Sequence, residues 1–185
     1  PDIDRFTKWT GMLDRWDRER TAAALCTQDR ATECEPSQWR QTVERLKPLE
    51  LKIKLATVNT LINRFPYRSS AANWSLPNYW ETPFEFFRKS GQCQDYAITK
   101  FMLLREAGVS NDQMRIVVLR DTRLGEDHAV VVVYVEGRAL MLDNQIPEVV
   151  PVDGVRHYRP YYSINETGWW RHETGPRETA QASLN

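Results

Sequence analysis

The stretch Gly91-Gln92-Cys93-Gln94-Asp95-Tyr96-Ala97 decides the fold. Cys93 follows a glycine and precedes a helical pattern. Ala97, Phe101 and Leu104 recur at i, i+4 and i+7, and Gly108 supplies a stop. This predicts Cys93 at or just before the first turn of a helix. Unpaired backbone N–H groups and the helix dipole favour a thiolate there. The same N–H groups suit an oxyanion. Standing alone, such a cysteine is more often a small buried apolar side chain.

Two stretches downstream change the balance: Asp127-His128-Ala129-Val130 and Leu142-Asp143-Asn144-Gln145. Of the histidines His128, His157 and His172, only His128 opens a strong strand, 129–135. Glu136-Gly137 reads as a turn and 139–142 as a second strand, which makes a β-hairpin. Hairpin geometry brings Asp143 back to where His128 begins. A cysteine that attacks, a histidine that takes its proton and a carboxylate that orients the imidazole are what a thiol hydrolase requires. Taken singly, His128 reads equally as a strand-end residue and Asp143 as a turn former.

The order of cysteine on a helix, histidine on a strand and aspartate on the next strand resembles the transglutaminase-like and papain-like superfamily. More narrowly, the chain is similar to the bacterial transglutaminase-like cysteine proteinases of LapG type. The likeness includes Tyr79-Trp80-Glu81-Thr82-Pro83-Phe84-Glu85-Phe86 and Asp95-Tyr96-Ala97-Ile98-Thr99-Lys100, and spans about residues 35 to 165. It implies an α+β fold of papain-like or transglutaminase-like type. N-terminal helices precede the catalytic Cys93 at a helix N-terminus, packed on an antiparallel sheet that carries His128 and Asp143. It implies a periplasmic cysteine endopeptidase whose protein substrate is a large surface adhesin of biofilms. The implied partner is the periplasmic domain of an inner-membrane cyclic di-GMP receptor. A transglutaminase-type acyl transferase and a non-catalytic binding module on the same scaffold are the alternatives.

One departure concerns calcium. The family carries acids on both sides of the cysteine, in a Gly-Asp-Cys-Glu-Asp pattern that helps bind calcium. Here those positions are Gln92 and Gln94, and only Asp95 keeps its acid. Calcium prefers six to eight oxygens with several carboxylates. Asp95 is thus a weak calcium candidate, and no cofactor is expected.

The chain has 185 residues, enough for one core, with Lys+Arg and Asp+Glu equal at 25 each. That balance gives no general attraction to nucleic acid. No apolar run approaches a membrane span. The chain starts at Pro1 without an h-region, which reads as a mature or trimmed form. Cys26 and Cys34 bracket a polar segment and suggest a disulfide, helped by the family resemblance, with Cys93 free.

Residues 1–172 read as a single domain and 173–185 as a polar, disordered tail. A helix is predicted over 2–24, with Phe6, Trp9, Leu13 and Trp16 on one side, and another over 37–46, with Trp39, Val43 and Leu46. Pro48 fits the first turn of a third, with Leu51, Leu55, Val58 and Ile62 buried. Residues 65–83 read as an aromatic loop. Strands are expected at 114–120, 128–135, 139–143 and 155–162. Asn73, Tyr79, Trp80 and Gln92 are candidate oxyanion donors, and Asn144 a support for the loop that positions Asp143.

Overall fold

The valine run after His128 builds the centre of the sheet. In the computed structural model, which describes residues 3–25 and 36–173, strand β2 spans Glu126–Val135. It turns through Glu136 and Gly137, both in the left-handed region (φ 51° and 77°), into β3, Arg138–Leu142. Two consecutive positive φ values match the twist of a tight hairpin, and glycine takes the second at no steric cost. The register runs from Val135↔Arg138 to Val131↔Leu142. The other edge of β2 pairs with β1, Met114–Asp121. With β4 (Val150–Pro151), β5 (Tyr158–Ile164) and β6 (Trp169–Arg171), the antiparallel order is β4-β3-β2-β1-β5-β6.

Val130 to Val133 are consecutive apolar residues because both faces of β2 are covered. Val131 and Val133 enter the main core with Ile116, Leu142 and Ile164. Val130 and Val132 join a second cluster with Val117, Leu119, Met141 and Tyr158 on the opposite face. The main core is organised by helix α6, Cys93–Glu106, which is buried without a break from Gln94 to Leu104. It ends before Gly108, whose φ of +94° supplies the predicted stop.

Helices α1 (Thr7–Ala24), α2 (Ser37–Leu46) and α3 (Leu51–Ile62) pack their apolar stripes into this core. Trp16 meets Trp39 and Phe84 edge-to-face, with centroids 5.3 and 4.8 Å apart. The first helix starts at Thr7, after a 3₁₀ turn over Ile3–Arg5, rather than at residue 2. Pro48 is not in the first turn of α3: it lies in the turn between α2 and α3, and Glu50 is the N-cap.

The segment 65–83 is more than a loop. It contains the short helix α4, Ser70–Trp74, and ends on α5, Pro83–Lys89. The start of α5 is a capping box in which Thr82 and Glu85 exchange bonds, with Pro83 in the first turn. Strand β4 was not predicted, because two residues carry no periodic signal. Nor was β6, and β5 runs over 158–164 rather than 155–162. Cys26 and Cys34, and the tail from residue 174, lie outside the described residues.

Candidate active site

Cys93 is the first residue of α6 and is half-buried. The turn before it is drawn tight by Asp95, whose Oδ2 accepts the Gln92 N–H at 2.9 Å while Oδ1 accepts the Glu81 N–H at 2.9 Å. A side chain at position 91 would put its Cβ 2.5 Å from Asp95 Cβ, so glycine is required there. The N–H groups of Asp95 and Tyr96 turn back to Gln92 O at 2.8 and 3.1 Å. The N–H groups of Cys93 and Gln94 are first-turn amides with no carbonyl behind them in the helix.

His128 lies on β2 and is 3% exposed. Its Nε2 is 2.7 Å from Asp143 Oδ1. Asp143 follows the last residue of β3, and the hairpin register carried one step further sets it opposite Val130. It therefore reaches His128 diagonally, on the same face. Asp143 Oδ1 also accepts the Gln145 N–H at 2.9 Å, and Oδ2 accepts the Tyr158 hydroxyl at 2.7 Å.

With Nε2 committed to Asp143, Nδ1 is the ring nitrogen left for Cys93, whose Sγ itself lies 3.6 Å from Gln94 Oε1. Burial alone would push the imidazole down. The Asp143 bond, the Cys93 bond and the negative charge of both groups outweigh it and lift His128 to about 9. Burial likewise pushes Asp143 up, and His128, the Gln145 N–H and the Tyr158 hydroxyl reverse it to below the usual carboxylate range. The site thus favours a charged imidazolium held by an anionic carboxylate. A thiol nucleophile requires an imidazole oriented in this way as its acid–base partner.

The aromatic loop uses its donors on itself. Asn73 Nδ2 donates to Glu81 Oε1 and Ser90 O, Tyr79 Oη to Glu85 Oε1, and Trp80 Nε1 to Asn78 Oδ1. None of these three is poised as an oxyanion donor. Gln92 differs: its Oε1 accepts the Ser70 N–H at 3.3 Å, which leaves Nε2 as its donating end. Asn144 follows Asp143 but is not its anchor. Its Oδ1 is buried without a partner among the described residues, and Asn63 Nδ2 holds the Asp143 carbonyl at 2.8 Å instead. Tyr158 and Asn63 were not foreseen, since a tyrosine at a strand start and an asparagine at a helix end carry no local mark of what they reach.

The donors around Cys93 do not fit a calcium ion. Gln92 and Gln94 bring no charge, and both Asp95 oxygens are taken by backbone amides. Gln94 Nε2 donates to Tyr79 O at 3.1 Å and to Asp95 Oδ2 at 3.4 Å. Both neighbours are acceptors, which fixes the amide with its NH₂ toward them. That group sits between a carbonyl and a carboxylate, where a cation would have to bridge them. Glu81 is buried beside Asp95, and its Oε2 has no partner among the described residues, but burial pushes both carboxyls toward the neutral form.

A cysteine heading a central helix, facing a histidine and a carboxylate on an antiparallel sheet, defines a papain-like or transglutaminase-like thiol enzyme. The model of the bacterial transglutaminase-like cysteine proteinases (BTLCP) matches residues 21–173, and the chain belongs to that family. It is a cysteine protease. Three structures of Legionella pneumophila LapG are similar to it, each at 29% identity. One covers 84% of this chain and 87% of that one with a TM-score of 0.68. An EGTA-treated form covers 86% of each with a TM-score of 0.69. A calcium-bound form covers 91% of this chain and 93% of that one, again with a TM-score of 0.69. Among curated proteins, none matches the chain.

Proposed function

We propose that the chain is a periplasmic cysteine endopeptidase with a Cys93–His128–Asp143 triad, that it cleaves a large surface adhesin, and that it works without calcium. The observation that carries the triad is the 2.7 Å bond between His128 Nε2 and Asp143 Oδ1, buried beside the half-buried Cys93.

The Cys93 thiolate attacks the scissile carbonyl carbon, and the carbonyl oxygen takes up the negative charge. The Cys93 N–H and Gln92 Nε2 are the donors nearest to hand for that oxyanion. His128 gives its Nδ1 proton to the leaving amine as the C–N bond breaks, leaving a thioester on Cys93 and a neutral imidazole. Water then attacks the thioester and gives a proton to His128, and the acid leaves as the thiolate re-forms. Asp143 keeps Nε2–H facing it throughout, so that Nδ1 always addresses the sulfur.

The periplasmic setting and the adhesin substrate rest on the likeness to LapG, as does a regulatory partner in the periplasmic domain of a cyclic di-GMP receptor. No helix among the described residues is long and apolar enough to cross a membrane. Incubation with the N-terminal region of a biofilm adhesin, in buffer containing EGTA, tests the reading. Discrete fragments are expected from the wild type and none from Cys93→Ala. An intact adhesin with a stable aminolysis product in added primary amine would point to acyl transfer instead.

A further inference from the structure

Strand β3 ends at Leu142 and β4 begins at Val150, so the loop between them, which carries Asp143, has no ladder partner. Its carbonyls still need donors. Two asparagines at i and i+4 of α3 and its C-cap supply them. Asn59 Nδ2 donates to Ile146 O at 3.2 Å and Pro147 O at 2.9 Å, and Asn63 Nδ2 donates to Asp143 O at 2.8 Å.

Asn59 is fully buried, and its Oδ1 accepts Lys100 Nζ at 2.7 Å. Lys100 is 1% exposed and stands two turns along α6 from Cys93. Burying an ammonium costs several kcal/mol, and an apolar side chain would fill this position without that cost. Burial pushes Lys100 down to about 7, against the opposing pull of the Asp143 charge. A donor on the Asn59 oxygen polarises the amide and strengthens the two bonds its NH₂ makes. A polar chain therefore runs from the helix that carries Cys93, through α3, to the loop that carries Asp143.

We infer that Asn59 and Lys100, with Asn63, are positioning residues that lock the Asp143 loop to the Cys93 helix and so set the reach of the bond between Asp143 and His128. This rests on the triad reading. An unanchored loop lets the carboxylate drift from Nε2, and small misplacements at a reacting centre cost large factors in rate. The lock is distinct from the donors on the carboxylate itself, because it acts on the backbone of residues 143–147.

The test is the NMR titration of the His128 ring, identified by its loss in His128→Ala, in wild type, Asp143→Ala, Asn63→Ala and the double variant Asn59→Leu/Lys100→Met. Removing both partners of the Asn59–Lys100 bond together orphans neither of them, while the Ile146 and Pro147 carbonyls lose their donor, which is the loosening the titration reads. The wild-type midpoint is expected near 9. Asp143→Ala should lower it, and the double variant should lower it by roughly one pH unit, with Asn63→Ala between them. Lys100, held down to about 7, carries little charge near pH 9, so its replacement does not by itself lower His128 and a fall reports the loop. A double variant at the wild-type midpoint, even with a lowered melting temperature, overturns the lock while leaving the triad standing. Should the double variant not fold, Asn63→Ala at the wild-type midpoint overturns it equally. An unmoved midpoint in Asp143→Ala overturns the triad reading and the lock with it.

Discussion

His128 Nε2 and Asp143 Oδ1 meet at 2.7 Å through side chains that are 2% and 0% exposed. So buried a contact cannot be a screened surface ion pair. It fixes the tautomer and the ring plane, and it leaves Nδ1 as the ring nitrogen that the proposed triad uses.

Substitutions at the three positions should therefore fall in a definite order. Cys93→Ala removes the nucleophile and should abolish cleavage with the fold intact. His128→Ala removes the proton carrier and should cost roughly 10³-fold in kcat. Asp143→Asn keeps a polar group facing Nε2 and should cost less than His128→Ala, in kcat rather than KM. Steady-state rates and circular dichroism on the purified variants check the order. Asp143→Asn as inactive as Cys93→Ala would mean that the carboxylate does more than orient.

Stability should depend on pH through the same residue. The folded imidazole titrates near 9 and the ordinary value is 6.5. A group with a raised folded pKa stabilises fully below its unfolded pKa and loses that contribution as pH rises through the folded one. The window is therefore pH 6.5 to 9, and the loss across it is about 3 kcal/mol. Urea unfolding of wild type against His128→Gln should give a difference that shrinks with rising pH. A flat difference would mean that the imidazolium is not held in the native state.

The hairpin was legible because a valine run bounded by Glu136-Gly137 admits little else, and it carries two of the three site residues. The α6 start was legible from Gly91, Cys93 and the periodicity behind them. The capping box at Thr82–Glu85 was equally readable but was hidden by the aromatics around it. What the sequence did not reveal is what long-range bonds decide. Tyr158 reaches Asp143 across two strands, and Asn63 holds it from another helix. No local pattern encodes either meeting.

Cys26 and Cys34 are expected to be bonded and Cys93 to be reduced. A loop so short contributes roughly 2–3 kcal/mol on closure. Thiol counting on denatured, unreduced protein should give one free thiol per chain, assigned to Cys93 by mass spectrometry. Three free thiols would remove the bond and with it one support for the periplasmic reading.

Calcium should be dispensable, and the reason lies in Gln94. Its NH₂ already satisfies Tyr79 O at 3.1 Å and leans on Asp95 Oδ2 at 3.4 Å, so the space between a carbonyl and a carboxylate is held by a covalently attached donor. A neutral amide offers a cation only a dipole, whereas a carboxylate offers a full charge. Wild type should therefore keep its activity in EGTA and give no heat on calorimetric titration with calcium. Gln92→Asp/Gln94→Glu should reverse both properties. It sets two carboxylates beside Asp95, already raised by burial and by Glu81, and withdraws one of the two donors to Tyr79 O, leaving Ser70 Oγ. Without a cation, that much like charge should loosen the turn before Cys93 and lower the melting temperature. With calcium, binding should restore it, and activity should become sensitive to the chelator. Micromolar calcium binding by the wild type would show that the glutamine carbonyls ligate after all, with the Gln94 amide turned away from Tyr79.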